Sequence, residues 1–249
     1  MDVSALLQQT LVEMDRSIRD LTALIPPAQP VPFAGSFVFR YVEKLPQQAI
    51  CQKLARIPSC IRAAQLLCDH GYFQEQGALQ RIIDELAEDA LFLAIPFAFG
   101  TPEDIHQQFL DSFYAEDFDP RTGKPVPEQR PMIPRKRIRA YIARSPIGTG
   151  DPSGHTDAGR VLSKTYSGFV HAASPHIMDT YGGMPPRFHT SGMLGTVRER
   201  EFREDIVNYY YRGLSAFVIS ARALGDENLF QQLYQLSKQY QTFGIGGEP

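Results

Sequence analysis

Residues 50–95 read ICQKLARIPSCIRAAQLLCDHGYFQEQGALQRIIDELAEDALFLAI. The stretch holds two helix-forming segments and no β-alternation. The first, from about 48 to 70, is rich in Ala, Leu, Gln and Arg and stops at His70-Gly71, because Gly is the usual left-handed cap. The second runs from about 73 to 95, so the pair reads as a helical hairpin with a very short connection. At 100° per residue, Leu79, Ile82, Ile83, Leu86, Ala90 and Leu93 share an apolar stripe, and Arg81, Asp84 and Glu88 fall opposite it. Arg81 is placed to pair with Asp84 or Glu85. Glu75 falls inside the apolar arc, either as a first-turn acid facing the helix dipole or as a buried carboxylate paired with Arg or His of another helix.

The same periodicity continues on both sides. Leu7, Leu11, Met14, Ile18, Leu21 and Ile25 make an amphipathic N-terminal helix that Pro26-Pro27 stops. Its seam suits either the same chain or a second copy. Residues 26–47 are Pro-rich and loop-like, and Gly35–Val42 fits strand or helix. Thr101-Pro102-Glu103-Asp104 predicts a helix start, with an end near Tyr114. Helices are expected over about 158–174 and 196–224, the latter with Ile206, Tyr210, Leu214, Phe217, Ala221 and Leu224 on one stripe. Asp226 opens a last helix carrying Leu229, Phe230, Leu233, Leu236 and Tyr240. The expected class is therefore all-α: a bundle of six to eight helices with long Pro/Gly-rich loops. Residues 1–30 form the N-terminal helix, and 31–249 form one bundle domain with a basic insert near 115–157. Loops at 115–134 and 145–157 exceed ordinary bundle connections.

The 249 residues are 43% hydrophobic with a net charge of −3, which excludes a disordered chain and a uniformly basic protein. Cys51, Cys60 and Cys68 are too few for a disulfide framework and too widely spaced for a metal site, so they read as small buried residues in a reducing cytoplasm. The N-terminus carries Asp2 and no apolar block, and the longest apolar run, Ala90–Phe99, is half a membrane span. The expectation is a cytoplasmic protein without a membrane segment.

Three regions carry chemistry. Arg130–Arg144 holds six basic residues and no acid in fifteen positions. Within it, Arg135, Lys136, Arg137, Arg139 and Arg144 are candidate nucleic-acid contacts; the alternative is a basic surface helix that meets the acidic segment Asp111–Asp119. Lys164, Ser167 and His171 share one side of the helix expected over 158–174, but no Gly-x-Ser-x-Gly elbow supports serine hydrolysis. Gly148–Gly154 lacks the Gly-Lys-Ser/Thr end of a phosphate loop, although the helix start that follows it, with Arg160, suits an anion. No Glu-x-x-His or His-Glu-x-x-His is present, so no metal or other cofactor is expected. A pocket between helices lined by Tyr and Phe is a further expectation.

Arg56-Ile57-Pro58-Ser59, Leu66-Leu67, His70-Gly71-Tyr72, Gln74-Glu75 and Arg81-Ile82-Ile83-Asp84-Glu85 occur with Tyr166-Ser167-Gly168-Phe169-Val170-His171 and a following Tyr-rich helix. Together these stretches resemble uncharacterised bacterial helical-domain proteins grouped loosely with HEPN-like bundles. The resemblance covers roughly 50–95 and 160–225. It implies an all-α bundle of a kind that often dimerises and includes ribonuclease toxins and defence factors. The HEPN catalytic signature, Arg and then His after a short spacer, is not supplied: Arg160 to His171 is too long and Arg187 to His189 too short. What the resemblance leaves as candidate catalytic positions, facing one another across helices, is His171, Arg81, Glu85 and Ser167. Two functions follow: a non-catalytic helical interaction or regulatory protein acting as a homo-oligomer, or a HEPN-like RNA-binding or ribonuclease protein using the basic 130–144 segment.

Overall fold

The structure is a computed structural model that describes residues 2–100, 102–126, 132–148 and 167–244. The described helices are α1 (Val3–Thr22), α2 (Pro46–Asp69), α3 (Phe73–Phe99), α4 (Asp104–Phe113), α5 (Arg135–Arg144), α6 (Ser174–Met178), α7 (Glu199–Ala223) and α8 (Glu227–Gln241). Two small antiparallel hairpins accompany them: β1 (Gln29–Phe33) with β2 (Ser36–Arg40), and β3 (Tyr181–Gly182) with β4 (Arg187–Phe188). The all-α class stands.

The α2–α3 hairpin forms the centre of the bundle, with Gly71 in the left-handed conformation (φ 77°) between its helices. α7 packs along α3 and α2, and α1 and α8 close one side. Leu54, Ile57, Ile61, Ile83, Phe92, Leu214 and Phe217 are fully buried. On α1 the buried line runs Leu6, Thr10, Met14, Ser17 and Leu21, rotated from the apolar stripe of the sequence. The rotation is permitted because Thr10 finds a hydrogen-bond partner inside, the Tyr240 hydroxyl of α8 at 2.7 Å.

The segment 26–47 departs from the loop expectation, and 36–40 resolves to strand. Phe33 and Ser36 flank a two-residue turn, Ala34-Gly35, in which both residues have positive φ (45° and 82°). That is the geometry that lets a tight hairpin follow the natural strand twist. α4 begins at Asp104 with Glu103 as its N-cap; Thr101 lies outside the described residues. Most of the helix expected over 158–174 also lies outside them; the described part is one helical turn, 167–170, and then α6. On α3, Glu75 is exposed and Asp84 is buried, the reverse of the arc assignment. The buried line takes in Gln76, Gln80 and Asp84 because α7 supplies polar partners there.

α4 and α5 meet at His106, which is 4% exposed. Its ring stacks on Phe92 (4.4 Å) and lies edge-on to Tyr141 (4.6 Å), and its Nδ1 accepts the Glu103 N–H at 2.9 Å. Burial lowers its pKa, with Glu103 acting the other way. For a base whose folded pKa is depressed, the unfolded chain takes the proton first as pH falls below about 6.5. Stability is therefore lost in that direction. Thermal unfolding is expected at a lower temperature at about pH 5.5 than at about pH 7.5, and His106→Phe is expected to shrink that difference while keeping the stack. An undiminished difference in the variant, followed by circular dichroism, contradicts the assignment.

Candidate functional site

Among the described residues, the row of acids on the α5-facing side of α3 gathers a cluster of ion pairs. Glu85, Glu88 and Asp89 lie within about one turn of each other, and α5 crosses this row with Arg135 and Arg139 pointing inward. Arg135 pairs with Asp89 and also reaches Glu85 (3.6 Å) and Glu88 (3.9 Å). Arg139 Nε donates to Glu88 at 2.7 Å. From the other side, Lys53 Nζ of α2 meets Asp89 Oδ2 at 2.8 Å while lying 4.7 Å over the Phe113 ring. Burial opposes the charge on Arg135, and Asp89, Glu85 and Glu88 outweigh it, so its pKa is raised. Ile138 and Ile142, buried on the same side of α5, anchor the helix.

The candidate nucleic-acid residues therefore divide. Arg135 and Arg139 face α3, with Arg139 only 9% exposed; Lys136, Arg137 and Arg144 face outward. The acidic partner of the basic helix is the α3 row and not Asp111–Asp119. That segment instead receives Arg40 of β2, whose guanidinium holds Glu116 at 2.6 and 3.1 Å. Arg130 lies outside the described residues. Arg137 and Arg144 line a polar cleft of about 490 Å³ that also contains Glu103 and Asp104.

Arg81 is ion-paired along its own helix to Glu85 at 2.5 Å, and Glu85 continues to Arg135. Ser167 and His171 stand on a separate turn. Its main chain is closed by the His171 N–H donating to the Ser167 carbonyl (3.0 Å), and it reverses at Ala172 (φ 50°). That turn docks through Phe169, whose ring lies against Gly77 so closely that a Cβ there would sit 2.8 Å from it, and which meets Phe202 of α7 edge-on. His176 packs on Phe169 in turn. The His171 side chain is exposed, and among the described residues no hydrogen bond or ion pair links Ser167 or His171 to Arg81 or Glu85. The turn meets α3 one helical turn before Arg81 without closing a catalytic unit.

Between these regions lies a buried polar line that the sequence reading placed on the solvent side or left out. Gln76 Nε2 donates to the Phe202 carbonyl at 3.0 Å, and Arg212 of α7 donates to Asp84 at 2.7 Å. Burial raises the Asp84 pKa, and Arg212 counteracts it. Gln80 is fully buried, and neither amide atom finds a partner among the described residues. The available signal was the spacing of Gln76, Gln80 and Asp84 at i, i+4 and i+8. The cysteines are buried thiols, with Cys51 pushed up to about 12 by burial, which makes them poor thiolates at neutral pH. No group of three metal-ligating side chains occurs among the described residues, and none of their helices is long and apolar enough to cross a membrane. No family model, no curated protein and no solved structure matches this chain.

Asp89 is 3% exposed and keeps only Lys53 when Arg135 is removed. Arg135→Ala is expected to cost about 2–4 kcal/mol in a denaturant titration, because uncompensated carboxylates remain at a buried site. Arg137→Ala, at an exposed position on the same helix, is expected to stay within about 0.5 kcal/mol. Equal effects of the two substitutions contradict the inward role of Arg135.

Proposed function

We propose that this chain is a non-catalytic helical interaction or regulatory protein of the cytoplasm that works as a homo-oligomer. The observation that carries the reading is the outer face of the β1–β2 hairpin. Cross-strand pairing puts Pro30 beside Phe39 and Pro32 beside Phe37, so four apolar side chains share one surface without a charge among them. Phe37 and Phe39 remain 59% and 63% exposed and touch edge-on at 5.7 Å. Apolar faces of this kind mark association surfaces. Pro30 and Pro32 fall in the pairs next to the hydrogen-bonded pair at the turn, where a main-chain N–H would point away from β2; the β1 edge therefore offers no donors for open-ended strand addition. Association is therefore expected through the apolar face and not along the β1 edge. The internal pairing of Arg135 and Arg139 supports the same reading, because those charges are already engaged.

Sedimentation velocity across about 1 µM to about 1 mM is the test, since a face this small gives a weak dimer. The wild-type chain is expected to sediment faster as concentration rises, and Phe37→Lys with Phe39→Lys is expected to remain monomeric with unchanged helix content. A wild-type monomer throughout the range overturns the homo-oligomer.

The second reading, a HEPN-like RNA-binding or ribonuclease protein, draws on one observation: Lys136, Arg137 and Arg144 are exposed together on the outer side of α5. Three phosphate contacts give a salt slope of about −2 for single-stranded RNA. The first reading expects no gel shift of mixed RNA and DNA at low salt and no cleavage. A shift with that slope, abolished by Lys136→Ala, Arg137→Ala and Arg144→Ala together, favours the second. Substituting Arg135 or Arg139 is unsuitable for this purpose, because it breaks internal ion pairs.

A further inference from the structure

The inner face of the same hairpin, with Pro32 and Phe39 at its border, roofs a cavity of about 560 Å³. Val31, Phe33 and Val38 form one wall, and Tyr41, Phe113 and Tyr114 form the other. Two contacts hold the hairpin over it: Arg40 to Glu116, and the Ala34 N–H to the Pro120 carbonyl at 2.7 Å. The size lies within the range of small-molecule sites, which combine apolar walls with a few convergent polar groups. Those groups are defined here. The Tyr114 hydroxyl donates to the Leu45 carbonyl at 2.9 Å, and burial raises its pKa, so it stays protonated at neutral pH. Gln52 contributes an amide from α2. Arg40 and Glu116 neutralise each other, which leaves Lys44 as the lining cation with no ion pair among the described residues. Lys44 has a φ of 56°, a left-handed conformation that costs a non-glycine residue strain.

We infer that the cavity beneath the β1–β2 hairpin binds a small aromatic carboxylate, its ring between Val38 and the Phe113–Tyr114 wall and its carboxylate on Lys44. One aromatic ring with a short acid tail fills the apolar part and brings a single negative charge to the single free lining cation. Nothing in the cavity suits a polyanion: Arg40 is engaged, and Glu116 repels additional negative charge. The inference goes beyond the proposed function and does not rest on it: Pro32 and Phe39 border the cavity as well as the outer face, but the lining cation Lys44 and the ring wall of Phe113 and Tyr114 lie on neither strand of the hairpin.

The test uses 3-phenylpropionate and its neutral counterpart 3-phenylpropanol as probes, with the full chain labelled at Tyr and Phe for nuclear magnetic resonance. For ligands of this size a dissociation constant of about 1 mM is expected for the acid. Saturable shifts are expected at Tyr41, Phe113 and Tyr114. Lys44→Met is expected to weaken the acid about tenfold and leave the alcohol unchanged. Ala28→Trp, which places a ring in the cavity from its lining, is expected to abolish both. Lys44 is exposed, so its variant stays folded and keeps the test decisive if Ala28→Trp does not fold. The inference is overturned by shifts elsewhere than this wall, by absence of saturable shifts up to about 10 mM, or by equal affinity of acid and alcohol in the wild-type chain. None of these outcomes bears on sedimentation or on nucleic-acid binding, so the two readings fail separately.

Discussion

Asp89 is the point at which three helices are locked together. It projects from α3 at 3% exposure and receives Lys53 from α2 and Arg135 from α5. A carboxylate so far from water persists only with close cationic partners. The two cations in turn place the elements that carry them. Lys53 leans over Phe113 and fixes the C-terminal end of α4, and Arg135 sets the start of α5 across the acidic row. The wall of the hairpin cavity is the next residue, Tyr114, so the geometry of that cavity depends on the same ion-pair cluster.

α3 is charged outside and polar inside at once. Its outward row holds α5, and its inward line of Gln76, Gln80 and Asp84 holds α7. Both arrangements trade apolar burial for directional contacts. A purely apolar interface tolerates sliding by a turn, whereas Arg212 on Asp84 and Gln76 on the Phe202 carbonyl fix one register. In a bundle whose helices are joined by long loops, register is the quantity that the connections leave undefined. The polar line supplies it.

Much of this was legible in the chain. The helical hairpin at 50–95, the stripe on α7 and the line Leu229, Leu233, Leu236 and Tyr240 on α8 followed from periodicity, because those faces bury apolar residues. α3 defeated the same reasoning. Periodicity puts Asp84 on the solvent side, because hydropathy ranks a carboxylate as exposed and takes no account of an arginine on another helix, and of the two readings of Glu75 the exposed first-turn acid is the one the structure shows. The β1–β2 hairpin was hidden for two reasons. Prolines at 30 and 32 argue against strand, and Ala-Gly is a weaker turn signal than Asn-Gly. The alternative that pairs the basic segment with 111–119 overlooks Asp84, Glu85, Glu88 and Asp89, four acids in six residues. Of the candidate catalytic set, Arg81 and Glu85 pair, while Ser167 and His171 stand on another element. The contact that brings that element to α3 is aromatic, Phe169 on Gly77, and no polar motif announces it.

The electrostatics of α5 bear on what its surface attracts. Phosphate binding draws its strength from the release of condensed counterions by accessible cations. Arg135 and Arg139 cannot contribute, because each is already neutralised by carboxylates of α3. The remaining Arg137 and Arg144 share their cleft with Glu103 and Asp104, which reduces the local positive potential further. A helix that reads as strongly basic in one dimension therefore presents a reduced positive charge in three, with Lys136 outside both the ion pairs and the cleft. The hairpin face is the opposite case, since Phe37 and Phe39 have no compensating neighbour that covers them. What association through this pair would gain is apolar burial and not charge pairing.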